Sequence, residues 1–396
     1  MVERKPLYSI VRSISTGLNP RQNFVLNEDK ANYYYVTVKE ITTNKVVFSD
    51  STDKITEAAK RIINNRSKLA VGDILFSGIG TIGKVAYVDF STHNWDCSES
   101  VFLIKPKEDV VIGKYLSYIL SSNTAKSQYE RGSAGAIMKG VRKSTLENLQ
   151  IPVPSLSEQK RIVGILDTFT AAIENLKAQI ANRRKQYEHY RDQLLDLEGK
   201  TKDIVSWGDM CEMIKGNGVQ KVDFVDDGYG CIHYGQIYTY YGSYTYKTNR
   251  FVSREVFERA KKASKGDLVL TDTSENVEDI CKCVAYLGDD DIAVSNHALI
   301  IKHKQNPKFL SYSTQTDSFL NQKRKFVVGV KVSGISPAHL GQIKIYLPSL
   351  SEQSRIVSIL DTFEASIANL EAQLKEREKQ YEYYRNQLLT FEKEGT

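Results

Sequence analysis

SLSEQKRIVGILDTFTAAIENLKAQIANRRKQYEHYRDQLLDLE, residues 155–198, returns at 349–392 as SLSEQSRIVSILDTFEASIANLEAQLKEREKQYEYYRNQLLTFE. About 30 of the 44 positions are identical, and the offset is a constant 194 residues, from Ser155 to Ser349. Self-similarity at a fixed period reports a repeated structural unit. Each copy is preceded by about 150 residues of β-patterned chain that resembles its counterpart only faintly. A duplicated unit has kept its connector and changed what the connector carries.

Each copy reads as a long helix. Both open with Ser-x-x-Glu just after a proline, Ser155 with Glu158 and Ser349 with Glu352, the spelling of a capping box. Apolar residues then recur at alternating spacings of four and three, which is a heptad seam. In the first copy they are Ile162, Leu166, Phe169, Ile173, Leu176, Ile180, then Tyr187, Tyr190, Leu194 and Leu197. In the second they are Ile356, Leu360, Phe363, Ile367, Leu370, Leu374, then Tyr381, Tyr384, Leu388 and Phe391. Arg183 and Arg377 interrupt the two seams at the same place. Near-identical seams at the ends of two similar halves predict an antiparallel, pseudo-two-fold pairing of the helices. The competing arrangement packs each helix on its own domain.

The segments ahead of the helices read as strands and loops. GDILF (72–76), KVAYV (84–88) and VFLIK (101–105) are matched in order by GDLVL (266–270), CVAYL (283–287) and ALIIK (298–302). The loops between them do not match. The fold expected is therefore α+β: a β-rich domain at 1–153, a helix at 154–199, a second β-rich domain at 200–347 and a second helix at 348–396.

Composition excludes several classes. With 41% hydrophobic and 26% charged residues, the chain is ordinary for a globular protein of two or three domains. No apolar run approaches the roughly 20 residues of a membrane span, and MVERKPLYSIV has no signal-peptide core. Five scattered cysteines fit reduced thiols in a cytoplasm better than a disulfide framework. A net charge of +6 permits a polyanionic partner without requiring one.

Several motifs are weaker than they look. GIGTIGK (78–84) spells two nucleotide-binding patterns, yet a strand follows it where a phosphate-binding helix is needed, and Val85 stands where a P-loop has Ser or Thr. It reads as a glycine-rich hairpin. Cys281-x-Cys283 with His297 and His303 has the wrong spacing for zinc, and the first half has no equivalent pair. The run GYGCIHYGQIYTYYGSYTYKTNR (228–250) suits either nucleic-acid stacking or a tyrosine-rich hairpin. No methyltransferase tetrad, helicase P-loop, nuclease carboxylate cluster or nucleophile elbow is legible. The expected chemistry is binding.

PSLSEQKRIVGILD (154–167) and PSLSEQSRIVSILD (348–361), each opening a long helix behind a variable β-rich domain, resemble the DNA-specificity subunit of type I restriction-modification enzymes. The resemblance covers essentially the whole chain. It implies two target-recognition domains, each reading half of a split, asymmetric DNA site, spaced by an antiparallel coiled coil that docks two methyltransferase subunits. Motor-nuclease subunits complete the complex. It also implies a non-catalytic chain, with S-adenosylmethionine, ATP and Mg²⁺ acting on partner subunits. A type IIB-like system is a near alternative, and a coiled-coil scaffold without DNA readout is an alternative of another class.

Loops that diverge on equivalent scaffolds are where different sequences would be read. The residues expected to contact DNA are Ser77, Gly78, Thr81 and Lys84 on the glycine hairpin, with Arg131, Lys139 and Arg142 on the late loop. In the second half they are Tyr234, Gln236, Tyr238, Thr271, Thr273, Ser274 and Lys331. Exposed helix flanks such as Arg161, Lys177, Arg355 and Glu371 are expected to meet the methyltransferase. No metal site and no catalytic residue are expected.

Overall fold

The computed structural model describes residues 2–21, 23–42, 44–131, 140–196, 203–329 and 333–391. The chain divides into two compact units, Met1–Lys177 with Gln373–Thr396, and Ala178–Ala372. The division cuts each long helix in two. A unit thus holds one β-rich domain, the start of the helix that follows it and the end of the other helix.

The long helices are Leu156–Leu195 and Leu350–Leu389, 40 residues each, or roughly 60 Å at 1.5 Å per residue. Ser155 Oγ accepts the Glu158 N–H and Ser349 Oγ the Glu352 N–H, both at 3.3 Å, so the serine half of the capping box is made. The glutamates turn elsewhere: Arg161 and Arg355 donate to them at 2.7 Å. No described helix is long and apolar enough to cross a membrane.

In the first unit an antiparallel sheet runs in the order Val11–Thr16, Val101–Pro106, Ile74–Ser77, Val85–Tyr87. A smaller sheet orders Lys54–Ile55, Tyr33–Val36, Trp95–Cys97. The strand Ile74–Ser77 is buried on both faces. Because strand side chains alternate, Ile74 and Phe76 enter one core with Tyr115 and Leu166, while Leu75 enters a second with Trp95 and Leu103. That double burial explains the unbroken apolar run in GDILF.

The second unit repeats the plan. Its main sheet orders Glu212–Lys215, Ala298–Lys302, Leu268–Thr271, Cys283–Tyr286, Tyr244–Thr245. Leu268 and Leu270 join the core that holds Trp207 and Leu360, while Val269 joins the core of Ile232 and Val294. The aromatic run is neither a plain hairpin nor a flat stacking platform: the strand Tyr229–Ile232 is followed by the helix Tyr234–Thr239. His233 caps that helix, with Gln236 Oε1 accepting the His233 N–H at 2.8 Å. Cys281 and Cys283 are buried beside Leu270 and Phe309.

Within each unit the helix seams serve two surfaces at once. Ile162 and Leu166 pack in one cluster with Leu7 and Tyr115 of their own domain and with Leu389 of the other helix. Ile356 and Leu360 pack likewise with Trp207 and Phe309, against Tyr187 and Leu194. In the first unit Phe169 stacks on Tyr384 (5.3 Å, 29°) and Lys177 meets Glu378 at 3.0 Å. In the second, Phe363 stacks on Tyr190 (5.3 Å, 28°) and Glu371 meets Arg184 at 2.5 Å. In both, one number rises as its partner falls, so each unit's helix segments run antiparallel. The arginines that break the seams lie over these rings, Arg377 over Phe169 and Arg183 over Phe363, 5.9 Å each. Cation–π contact replaces apolar burial there. Ile173 and Ile180 are buried, and Leu176, Ile367, Leu370, Leu374 and Tyr381 half-buried; Leu197 lies outside the described residues.

Candidate nucleic-acid interface

Three segments meet at the same place in each unit, and matching backbone bonds hold them. Gly78 N–H donates to the Ser100 carbonyl (2.8 Å), and Asp272 N–H to the His297 carbonyl (3.2 Å). Val141 N–H donates to the Gly78 carbonyl (2.8 Å), and Ile335 N–H to the Asp272 carbonyl (2.9 Å). Ile79 bridges Gly140 as Thr273 pairs with Gly334. The loop after the Gly-Asp strand, the turn into the last sheet strand and the late loop therefore form one cluster. The frame is common and the contents differ: the first of these loops spans 78–84 in one unit and 272–282 in the other.

The expected DNA-contacting residues divide between frame and surface. Ser77 is buried, its hydroxyl donating to the Thr81 carbonyl (2.6 Å) and accepting the Lys84 N–H (2.8 Å); it shapes the hairpin and presents nothing outward. Gly78 is buried, and a Cβ there would sit 2.4 Å from the Phe102 ring. Gly80 and Gly83 have φ of 80° and 83°, the region glycine enters freely. Lys84 is half-buried, its ammonium donating to the Val38 carbonyl at 2.9 Å. Thr81, Arg131 and Arg142 are exposed. Lys139 and Lys331 lie outside the described residues.

In the second unit Thr271 is fully buried and its hydroxyl faces the Asp279 carbonyl (3.3 Å). Gln236 is half-buried between His233 and Asn249. Tyr238 donates to the Thr273 carbonyl, which ties the aromatic run to the loop, and burial pushes its phenol up. Tyr234 is half-buried against His233, Tyr238 and His297. Thr273 and Ser274 are half-buried in the short strand beside the late loop. The exposed rings of the run are instead Tyr229, Tyr240 and Tyr246. Divergence of a loop does not tell which of its tyrosines the capped helix turns inward.

Two groups went unread. A cleft of about 360 Å³ is lined by Val219, Gln220, Lys221, His233, Tyr234, Asn296 and His297. Burial, then Lys221 and His297, hold the His233 imidazole below its ordinary range. Beneath His297 lies Asp272, a buried acid at the site of Gly78. Its position in the divergent loop was the available signal. On the helices, Lys177 and Glu371 face acids and bases of the other helix, unlike Arg161 and Arg355, which pair within their own turn.

The chain matches the family described as type I restriction modification DNA specificity domain twice, over residues 3–183 and 200–379. It is 28% identical over 351 residues to the Escherichia coli type I restriction enzyme EcoR124I/EcoR124II specificity subunit, covering 82% of this chain and 81% of that one. A structure solved for the assembly and conformational transition of a type I system superposes with a TM-score of 0.60 at 18% identity, over 98% of this chain and 96% of that one. The S subunit of the type I system of M. genitalium gives 0.56 at 15% identity, over 99% and 97%. Two family matches, one on each β-rich domain with its helix, thus fall on the duplication read from residues 155–198 and 349–392, and the chain belongs to the type I restriction-modification DNA specificity family.

Proposed function

We propose that the two loop clusters read the two unlike halves of one DNA site, while the helices set the gap and dock methyltransferase subunits. The observation that supports this most is the contrast inside the fold. The same backbone frame recurs in both units, yet it carries Gly78 and Ser100 in one and Asp272 and His297 in the other. Unlike sensors on a common frame suit unlike half-sites. A rod of set length suits a gap fixed in length and free in sequence.

Exposed Arg131 and Arg142, with Lys139, would hold phosphates in the first half-site and supply salt-sensitive affinity. Thr81 in one unit, and Thr273 with Ser274 in the other, would reach toward base edges. For docking, Leu156 and Leu350 are exposed at the same place in both copies, in the same helix openings as the Glu158–Arg161 and Glu352–Arg355 pairs. An identical patch on otherwise divergent units fits the same partner bound twice. Methylation with S-adenosylmethionine, and ATP- and Mg²⁺-dependent translocation and cutting, fall to partner subunits.

The test is long-read methylome sequencing of cells that express the chain with its methyltransferase. A bipartite adenine motif that depends on this chain is expected. Exchanging residues 1–153 for another such domain should change one half-site and leave the other and the gap alone. Co-purification with the methyltransferase but no sequence-dependent methylation would favour a scaffold instead.

A further inference from the structure

We propose that His297 reads a base of the second half-site and that Asp272 positions it, so that His297 Nε2 accepts a hydrogen bond from the exocyclic amino group of a cytosine or adenine. The proposal rests on the DNA-reading role above. His297 sits at φ +64°, a backbone state uncommon outside glycine and worth a functional question. Its carbonyl anchors Asp272 N–H, and its side chain is 53% exposed on the cleft.

Asp272 supplies the independent sign. Its side chain is only 5% exposed, and Oδ1 is buried without a hydrogen bond among the described residues. Buried acceptors are nearly always satisfied, so an orphan needs an explanation. The imidazole Nδ1 of His297 stands 4.0 Å away, one small ring rotation from donating to it. The other carboxylate oxygen already faces Lys215 Nζ at 3.3 Å. That ammonium balances the acid, and Lys221 and His233 share the cleft with the imidazole.

The tautomer follows. A proton on Nδ1 aimed at Asp272 leaves the lone pair on Nε2, at the outer edge of the ring. Tyr234 packs edge-on to the imidazole at 5.4 Å and 72°, which limits its rotation. An outward acceptor is complementary to cytosine N4 or adenine N6 in the major groove, and mismatched to guanine O6 or thymine O4. The first unit has no counterpart: Ser100 and Gly78 occupy these places, and the Phe102 ring leaves no room for an acid at 78.

The experiment uses the full chain with its methyltransferase. His297→Ala should relax one position of the second half-site and leave the first half-site and the gap as they are. In competition binding with duplexes altered at that position, discrimination should fall about tenfold or more. His297→Asn, which tolerates the left-handed backbone, should do the same and guards against misfolding. Asp272→Ala should weaken discrimination at that same position, and adding it to His297→Ala should cost nothing further there; a merely structural Asp272 would loosen every position of that half-site. An unchanged motif in both His297 variants overturns the proposal while the DNA-reading role stands. A wild-type chain without a bipartite motif overturns the role itself.

Discussion

The seats of the two units, where each β-rich domain meets its helix, repeat the same key bonds, and their loop clusters share only a backbone. In the first unit Tyr118 donates to Asp167 at 2.6 Å and Lys114 meets the same acid at 2.8 Å. In the second, Tyr312 and Lys308 meet Asp361, each at 2.8 Å. Gln159 Oε1 accepts Ile112 N–H, and Gln353 Oε1 accepts Asn306 N–H. All of these residues keep the offset seen in the helices. A domain that must be carried at a set angle has to preserve its seat, whereas one that must read a new sequence is free to change its tip. Selection on geometry and selection on readout have therefore been kept on different atoms.

The strongest way to break this comparison is to hollow the seat. Leu166 and Leu360 are equivalent and fully buried. Alanine at either should cost about 2–5 kcal/mol, read as loss of hydrogen-exchange protection in its own unit. Similar losses in both units would uphold the equivalence. A severe loss in one and a negligible loss in the other would refute it.

A sharper cut removes one hydroxyl. Tyr118→Phe and Tyr312→Phe each delete a hydrogen bond to an aspartate and strand part of the carboxylate, for about 1.5–3 kcal/mol apiece. Denaturant unfolding should show matched effects, and a double substitution should be additive, because the two sites share no partner. Non-additivity would mean that the seats communicate.

The seat was legible in advance and the tip was not, for physical reasons. Heptad spacing and the apolar runs of the strands report burial, which repeats with a period that sequence displays, and the exposed Ser155 and Ser349 mark helix starts by capping. The seam's double duty was less legible, since Ile162 faces both its own domain and Leu389, and periodicity does not say what an apolar face meets. At the tip, hydrogen-bond capacity misled. Ser77, Thr271 and Gln236 look like DNA contacts by residue type, but their polar atoms are consumed by turns and caps. Asp272 belongs to no recognisable spacing, and His297 enters the sequence only in a pattern whose spacing is wrong for zinc.

One difference reaches down into the seat itself, and pH should expose it. Where the first helix has Thr170, the second has Glu364, which accepts from Ser243 Oγ at 2.9 Å and Tyr187 at 3.3 Å. Burial raises the Glu364 pKa above its ordinary value, against the lowering effect of the Ser243 bond. The folded state therefore binds this proton more tightly than the unfolded chain. The group's contribution is fully present below about pH 4.5, where a free glutamate carboxyl titrates, and is lost as pH rises through the raised folded value. Hydrogen exchange across this range should show the second unit losing protection as pH rises, while any loss in the first comes from its own buried Asp73 and Asp96, whose carboxyls burial also raises. Glu364→Gln should flatten the difference; a slope that survives in that variant would assign it to another acid.

The smallest effect concerns how each β-rich domain is tied to its helix. Beyond the shared tyrosine and lysine contacts to Asp167 and Asp361, the first adds Lys45 to Glu174 at 2.7 Å, both about half exposed, while the second adds the half-buried Ser243–Glu364 contact. An exposed ion pair contributes at most about 1 kcal/mol and weakens with salt. Lys45→Ala should thus shift stability by a few tenths of a kcal/mol at low salt and by nothing measurable at high salt. Ser243→Ala should cost more, about 1 kcal/mol or above, with little salt dependence, since it removes a donor from a partly buried carboxylate. If Lys45→Ala proved as costly as Ser243→Ala at both salt concentrations, the first tether would be no weaker than the second, and the two domains would be held to their helices with equal stiffness despite their different chemistry.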